Sequence, residues 1–182
     1  VSVRGDASNR FGQDKSTRFQ PVWAVGLRWN VGAEHWLEGQ KILSDMSLRF
    51  TYGYQGNVAE NVSPELTASF EALDQGGYGL NVSKLPAPKL KWEKVNSINL
   101  GVDVSLFNHK VRGSFEWYTK KTTDMITNQV IAYEHGVLSM PINGGSMKNS
   151  GWDASLSFVP YRNENWVVSL GFNFSKINNE VN

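Results

Sequence analysis

The sequence predicts an all-β protein, an antiparallel transmembrane β-barrel segment of about seven strands, and two observations carry that prediction. First, apolar and polar residues alternate with a period of two along runs of about ten or more residues, close to the roughly 9–11 with which a tilted strand crosses a bilayer. Second, the connections between these runs are alternately long and short. Outer-membrane barrels have long loops at one end and tight turns at the other.

Composition alone would favour a different class of protein. The chain has 182 residues, no cysteine, 19% charged residues and a formal net charge of +1. Its mean hydropathy is −0.38, which is typical of one soluble domain. The near-zero net charge argues against nucleic acid as a partner, and the lack of cysteine excludes disulfides and thiolate zinc sites. We interpret the low mean hydropathy as the average of an apolar face, a polar face and polar loops.

The first predicted strand is short, because the alternation is already under way in residues 1–4. These residues lack the charged segment and the apolar core of a signal peptide. Near the other end, residues 166–176 still have the pattern of a strand. We therefore expect both ends to be cut and residues 1–182 to form a partial barrel domain of a longer protein.

Six long strands follow the first, and each has one apolar and one polar face, because successive side chains of a strand point to opposite sides. In the first two, Trp, Leu, Phe and Tyr alternate with Gly, Ser, Thr and Arg. In the middle two, aliphatic and aromatic residues alternate with Ser, Asn and single charges. In the last two, Trp, Leu and Phe alternate with Ser, Gly and Asn. In chain order the predicted strands are residues 22–31, 46–56, 96–107, 109–120, 151–160 and 165–176.

The polar faces carry single charges that would point into the lumen of a barrel. Because a lumen is wet, we expect such side chains to pair across neighbouring strands or with a domain inside the barrel. The alternative is a contribution to the path of a solute. The predicted lumen-facing polar residues are Arg28, Arg49, Asp103, Arg112, Glu116 and Asp153.

Aromatic residues lie toward the ends of the predicted strands, where membrane proteins carry belts of Trp and Tyr at the two interfaces. One predicted belt contains Trp29, Trp36 and Trp166, and the other contains Trp23, Tyr52, Tyr54, Trp92, Trp117 and Trp152.

The connections at one end of the strands are longer than those at the other. A structureless loop of about 35 residues would count against a compact soluble domain, whereas outer-membrane barrels carry long loops on their outer side. Residues 32–45 are long for a turn, and residues 33–37 within them are predicted to form a short interfacial helix. The long connections are residues 10–20, 57–91 and 122–145, and the short ones are at Asn108 and residues 161–164.

Short phrases rich in Gly, Asn and aromatic residues recur along the chain. They are RGDASNRFG (4–12), LRFTYGYQGN (48–57), LKWE (90–93), NLGVD (99–103), FN (107–108), WYTKKTTDMI (117–126), NGGSMKNSG (143–151) and NFS (173–175). In this order they resemble the barrel domain of SusC/RagA-type TonB-dependent outer-membrane transporters. Each phrase is short, but together they span nearly the whole chain.

The resemblance implies a fold and a function. It implies a 22-stranded barrel in the cell outer membrane, closed around an N-terminal plug domain and driven by TonB through a region not visible in this sequence. It also implies a SusD-type surface lipoprotein as partner, outer-membrane lipid around the barrel, and a cargo that is a glycan or, in some members, a peptide. Trp152 departs from the family pattern, where an acidic or aliphatic residue is commoner, and the loop at residues 57–91 looks individual.

Four residues of the long loops are candidates for ligand binding. Aromatic rings suit the apolar faces of sugar rings, although packing within the loops or against the surface lipoprotein is the alternative. The candidates are Phe70, Tyr78, Tyr133 and His135.

No catalytic, cofactor or metal site is predicted. His35, His109 and His135 lie in three different connections, so that a shared metal site is not expected. The sequence has no Gly-x-Ser-x-Gly elbow of the kind that presents a nucleophilic serine, and we expect the protein not to be an enzyme.

Two functions from different classes fit these observations. The first is TonB-dependent active import of a nutrient, an oligosaccharide or less often a peptide. The second is a non-transport β-sandwich, such as a surface binding or adhesin module whose long loops bind a ligand. A passive porin would share the barrel fold with the importer but would lack its plug.

Overall fold

The computed structural model describes residues 1–8, 18–37, 39–59, 62–73 and 76–182, and its main feature is one antiparallel sheet of seven strands. The strand order in the sheet is β1-β2-β3-β6-β7-β8-β9, and β4 and β5 form a separate hairpin. The strands are β1 (Ser2–Ala7), β2 (Phe19–Asn30), β3 (Leu43–Asn57), β4 (Thr67–Ala72), β5 (Tyr78–Lys84), β6 (Glu93–Leu106), β7 (Val111–Val130), β8 (Ser139–Arg162) and β9 (Val167–Val181).

Helical structure in the described residues is limited to three short 3-10 turns, at Val31–Ala33, His35–Leu37 and Tyr133–His135. The interfacial helix predicted at residues 33–37 is therefore wrong, since two 3-10 turns on either side of Glu34 replace it. The described part of the chain contains no helix long and apolar enough to cross a membrane.

In the middle of the sheet, the register aligns like with like across β2, β3, β6, β7 and β8. Because the side-chain period of a strand is two, residues paired across strands lie on the same face. One such row is apolar and the next is polar. The apolar row contains Leu27, Phe50, Leu100, Trp117 and Trp152, and the polar row contains Arg28, Arg49, Gly101, Glu116 and Asp153.

The apolar face of the sheet is uncovered. Leu100, in the middle of β6, remains 45% exposed, so nothing in the described part of the chain covers the centre of this face. Soluble monomers rarely expose contiguous apolar patches larger than a few hundred Å², whereas lipid solvates such a face in a transmembrane barrel. The uncovered face is therefore what a barrel wall requires, and a β-sandwich would have buried it.

The connections fall into two groups at opposite ends of the sheet. We call the end that carries the β1–β2, β3–β6 and β7–β8 connections the long-loop end, and the opposite end the short-turn end. At the short-turn end, residues 107–110 form the β6–β7 turn, as predicted around Asn108, with φ of 53°, 54° and 63° at Phe107, Asn108 and His109. The asymmetry holds for the β3–β6 connection against the β6–β7 and β8–β9 turns, whereas the β2–β3 connection (residues 31–42) is longer than the β7–β8 connection (residues 131–138).

Two of the predicted long connections contain more strand than expected. The loop predicted at residues 122–145 is wrong, because β7 continues to Val130 and β8 begins at Ser139. The loop predicted at residues 57–91 contains the β4–β5 hairpin. Most of the connection predicted at residues 10–20 lies outside the described residues.

The apolar band on the uncovered face runs obliquely to the rows of paired residues. Trp23 of β2 is paired with Tyr54 of β3, and the same row continues across β6 and β7 to Lys148 of β8. The ring centroids of Trp23 and Tyr52 lie 5.2 Å apart. The belt residue of β8, Trp152, lies four residues further toward the short-turn end. That offset is about 13 Å along the strand over about 19 Å of sheet. The slope, about 35°, agrees with the strand tilt of roughly 35–45° in membrane barrels.

The buried apolar cluster lies at the long-loop end, away from the apolar band. Ala87, Leu90 and Trp92 are buried there, and the partly buried side chains of Ile126 and Met140, from the extended β7–β8 hairpin, pack against them. The prediction that Trp92 belongs to an interface belt is wrong, because this side chain is 6% exposed under the loop.

Candidate functional site

The six charged residues predicted to face the lumen all lie on the polar face of the sheet. Arg28, Arg49, Glu116 and Asp153 belong to one row, and Asp103 and Arg112 follow in the next two rows toward the short-turn end. Their position inside a closed barrel stays a prediction, because the sheet of this chain is open at β1 and at β9.

Arg49 is the centre of a network of charges on this face. Its Nε lies 3.0 Å from Oδ2 of Asp103, and its Nη2 lies 3.9 Å from Oε2 of Glu116. To reach β7 from β3, the guanidinium group crosses β6 at Gly101, where a Cβ atom would lie 3.2 Å from Nη2. The glycine therefore leaves the room that lets one arginine bridge three strands.

Arg28 joins the same network through a hydroxyl group. Its Nη2 donates to Oγ of Ser47 at 3.4 Å, and this hydroxyl donates to Oδ2 of Asp103 at 3.3 Å. Pairing across strands therefore accounts for Arg28, Arg49, Asp103 and Glu116. Within the described residues, the side chains of Arg112 and Asp153 have no hydrogen bond or ion pair.

A second group of side chains on the polar face, around Tyr118, was not predicted from the sequence. Tyr118 of β7 is paired with Gly151 of β8, and a Cβ atom at Gly151 would lie 2.7 Å from Oη of that tyrosine. Tyr118 and the amide side chains around it line a concavity of about 470 Å³. The available signal was an aromatic residue on a mostly polar face, whereas the predicted ligand-binding aromatics all lie in the loops.

At the long-loop end, a carboxylate holds the end of the loop that precedes β6 against the β7 strand. Asp124 lies at a bulge of β7 with φ of 58°, beyond the apolar band. Its carboxylate oxygens lie 3.1 Å from Nζ of Lys91 and 3.1 Å from Nζ of Lys94. Partial burial raises the pKa of Asp124, but hydrogen bonds and charges of the two lysines outweigh it and hold this pKa below the ordinary value of 3.8.

The amide of Asn143 fastens the same two segments. It donates to the backbone carbonyls of Lys91 at 2.8 Å and Asp124 at 2.7 Å, and it accepts from the N–H of Lys91 at 2.9 Å. Glu93 adds a further link by accepting from the N–H of Ile126 at 3.0 Å. We call Lys91, Lys94, Asp124 and Asn143 the loop clamp.

The four predicted ligand-binding residues of the loops do not form one site. Phe70 and Tyr78 lie on the same face of the β4–β5 hairpin, where Phe70 is paired with Leu80. Tyr133 and His135 lie in a 3-10 turn at the tip of the β7–β8 hairpin. All four are exposed, so that their role in binding stays a prediction.

The histidines are spread over both ends of the molecule. His35 and His109 lie at the short-turn end and His135 at the long-loop end. Within the part of the chain that the structure describes, no three side chains of His, Asp or Glu are grouped closely enough to hold a metal ion.

Comparison with known proteins identifies a family for the whole chain. The family model for TonB dependent receptor-like β-barrels matches residues 1–182. TonB-dependent receptor P39 of Formosa agariphila is 33% identical over 193 residues, which are 100% of this chain and 17% of that protein. TonB-dependent receptor SusC of Bacteroides thetaiotaomicron is 28% identical over 190 residues, 99% of this chain and 19% of SusC.

A solved structure shows the same fold. The structure of the RagAB peptide transporter matches with a TM-score of 0.85 and 30% identity, covering 98% of this chain and 20% of the matched chain. The chain thus spans about a fifth of the length of the relatives it matches. The predicted resemblance is confirmed: the chain belongs to the TonB-dependent receptor family of SusC and RagA, as part of its outer-membrane β-barrel.

Proposed function

We propose that this chain supplies about seven strands of a presumed 22-stranded barrel through which a nutrient is actively imported across the outer membrane. The observation that carries the proposal is the two-faced sheet, with an uncovered apolar band on one face and an ion-paired polar network on the other. The band suits lipid and the network suits a wet lumen. Membership of the TonB-dependent receptor family supports energy coupling through TonB, which would act on the N-terminal region of the full protein.

The polar face would line the lumen and would face the surface of the plug domain. Arg28, Arg49, Asp103 and Glu116 are held in place by one another. Arg112 and Asp153 are the members of the predicted set whose charges are left to pair with the plug or with a solute. This role requires no covalent chemistry and no cofactor, and it agrees with a transporter that is not an enzyme.

A SusD-type surface lipoprotein would cover the long-loop end. Both hairpins at that end present exposed aromatic residues, Phe70 and Tyr78 on one and Tyr133 on the other. In our proposal these rings and His135 contact either the cargo or the lipoprotein. A glycan is the favoured cargo, and a peptide, as in the RagAB peptide transporter, is the alternative.

A pair of substitutions on one strand tests the orientation of the sheet. Val102 lies on the apolar face, paired with Leu48 and Phe115, whereas Ser105 lies on the opposite face. Val102→Arg should lower the free energy of unfolding of the full-length protein in lipid vesicles by about 2–4 kcal/mol, as charges do on the lipid face of a barrel. Ser105→Arg should cost less than about 1 kcal/mol, because its side chain would reach water. Both free energies are measured by guanidinium titration.

Equal costs for the two variants would contradict a membrane-spanning wall, and so would a full-length protein that stays soluble without detergent. Energy coupling is tested separately, by deleting the TonB-binding segment at the N-terminus of the full-length protein. Uptake should then stop, whereas uptake through a passive porin would continue unchanged.

A further inference from the structure

A concavity of about 470 Å³ on the polar face lies toward the long-loop end and is separate from the Arg49 network. Its volume is within the roughly 300–1,000 Å³ typical of small-molecule sites. Lys120 is the one charged side chain in its lining, and no carboxylate lines it. A neutral or weakly acidic ligand would therefore suit this concavity.

The floor of the concavity is an apolar strip built around a glycine. Tyr118, Gly151 and Ile177 are paired in one row across β7, β8 and β9. A Cβ atom at Gly151 would lie 2.7 Å from Oη and 2.9 Å from Cζ of the tyrosine ring, and Gly151 is itself buried. The ring thus lies over the backbone of the glycine, and together with the exposed side chain of Ile177 it forms an apolar platform on a polar wall.

Amide groups surround this platform from different strands. Asn99 is paired with Tyr118 on one side, and Asn149 and Asn179 are paired with each other across β8 and β9. Gln55 of β3 completes the lining toward the long-loop end. Each amide offers two N–H donors and one carbonyl acceptor.

The side-chain amides of the lining are unpaired within the described part of this chain, which spans about a fifth of its relatives' length. Within the described residues, no hydrogen bond engages the side chains of Asn99, Asn149, Asn179 or Gln55. The Oδ1 atom of Asn149 is moreover buried and accepts no hydrogen bond. The atoms of these amides that reach the surface of the concavity are therefore free to bond a ligand.

We propose that the concavity is a binding subsite for one pyranose ring of a glycan cargo. The apolar face of a sugar ring would stack on Tyr118 and Ile177, as aromatic side chains favour, and the hydroxyl groups around the ring would exchange hydrogen bonds with Asn99, Asn149 and Asn179. Asn99 lies in the row of Tyr118, and Asn149 and Asn179 lie in the next row toward the long-loop end, so the platform has amides on more than one side, as the hydroxyls of a sugar ring require. This inference rests on the proposed import function and names the cargo that the same surface takes.

The subsite is tested by saturation-transfer difference NMR on the purified full-length protein in detergent. The probes are the methyl glycosides of glucose, galactose, mannose and xylose, and trialanine is the peptide probe. At least one pyranose should receive saturation from the wild-type protein, and this signal should fall at least five-fold in Tyr118→Ala and in Asn149→Ala.

Two further variants sharpen the result. Gly151→Ala should reduce the signal because a methyl group there would meet both the tyrosine ring and the backbone carbonyl of Lys176 and so shift the row that forms the platform. Tyr118→Phe should keep most of the signal because the platform remains. Asn173→Ala is the matched control, since Asn173 lies on the same face but in the row of Asp103, nearer the short-turn end. Its signal should equal that of the wild type. Each variant is first shown to be folded by its heat-modifiable mobility on gels.

Three results would overturn the subsite: no pyranose signal that depends on Tyr118, an equal loss in Asn173→Ala, or a Tyr118-dependent signal from trialanine. The proposed import function is judged by a different measurement, the TonB-dependence of uptake in intact cells. A chain that imports without a pyranose signal loses only the subsite, and one that binds pyranose without TonB-dependent uptake loses only the import function.

Discussion

Two segments of the connection between β3 and β6 differ sharply in how far their apolar side chains are buried. In the β4–β5 hairpin, Phe70 is 79% exposed and Leu80 is 66% exposed. In the segment just before β6, Leu90 is 2% exposed and Trp92 is buried beside it. Both segments carry large apolar side chains, so the presence of such side chains does not by itself explain the difference. What differs is the cover, because Ile126 and Met140 of the extended β7–β8 hairpin pack on the second segment.

The covered half is also fixed by polar contacts. The loop clamp joins Lys91 and Lys94 to the bulge at Asp124, and Asn143 bonds the backbone on both sides. The connection thus has two parts. We call the β4–β5 hairpin, whose apolar side chains are exposed, the arm, and the segment just before β6, which is attached to the sheet, the base. A loop that must both contact a partner and stay attached to the barrel needs these two parts. Substitutions in the arm and in the base should therefore differ in their cost.

The largest effect is expected for the buried tryptophan. Trp92→Ala should lower the free energy of local opening of residues 85–94 by about 3–5 kcal/mol, the usual cost of removing a large buried aromatic. Phe70→Ala, on the arm, should change the opening of its hairpin by less than about 0.5 kcal/mol, as exposed substitutions do. Hydrogen exchange with mass spectrometry on the full-length protein measures both. Similar losses would show that the arm packs as firmly as the base.

A smaller effect is expected for the amide of the clamp. Asn143→Leu removes three hydrogen bonds from partly buried backbone groups, which should cost about 2–3 kcal/mol of the same local free energy. Asn81→Leu is the matched control, because Asn81 makes one exposed hydrogen bond, to Glu71 on the arm. If the control loses as much as Asn143→Leu, the clamp is not what holds the base.

The smallest effect is expected for the carboxylate of the clamp. Asp124→Asn should cost about 0.5–1 kcal/mol, because the ion pairs with Lys91 and Lys94 are half-exposed and screened. Since the pKa of Asp124 is lower in the folded state, its contribution is fully present well above 3.8 and is lost as the pH falls through 3.8 and below. Fluorine NMR of 5-fluorotryptophan at Trp92 should show, in that pH range, a larger fraction of molecules in which the loop is detached from the sheet. In Asp124→Asn this pH dependence should disappear, and its persistence would assign it to another group.

The membrane-spanning strands could be predicted from sequence because their alternation is uninterrupted. In β6, Ile98 to Leu106 keeps one face apolar throughout, and a uniform register follows from it. The strand predicted from the sequence ends at Lys120 instead of Val130 because the bulge at Asp124 shifts the alternation by one residue, and the second part of β7 then resembles an irregular loop. The alternation also predicts that the six charged residues share one face of the sheet, as they do, whereas their position in a lumen stays a prediction.

What the sequence pattern could not show are contacts between strands that are distant in the chain. The path of Arg49 over Gly101 to Glu116 depends on a register across three strands. The platform of Tyr118 depends likewise on the glycine opposite it in β8. Trp92 was assigned to a belt because a strand pattern does not distinguish a ring facing lipid from one buried under a loop.

The oblique course of the apolar band has a consequence for which charges the wall tolerates. Lys176 of β9 is paired with Trp152, in the same row as Leu100. If these rows were parallel to the membrane plane, the ammonium group of Lys176 would lie deep among the lipid tails. With a slope of about 35°, that row rises to the headgroups by β9, where a lysine can extend its charge into water. Immersion depth therefore follows the tilted band and not the hydrogen-bonded rows, and tolerance to substitution should be mapped along that diagonal.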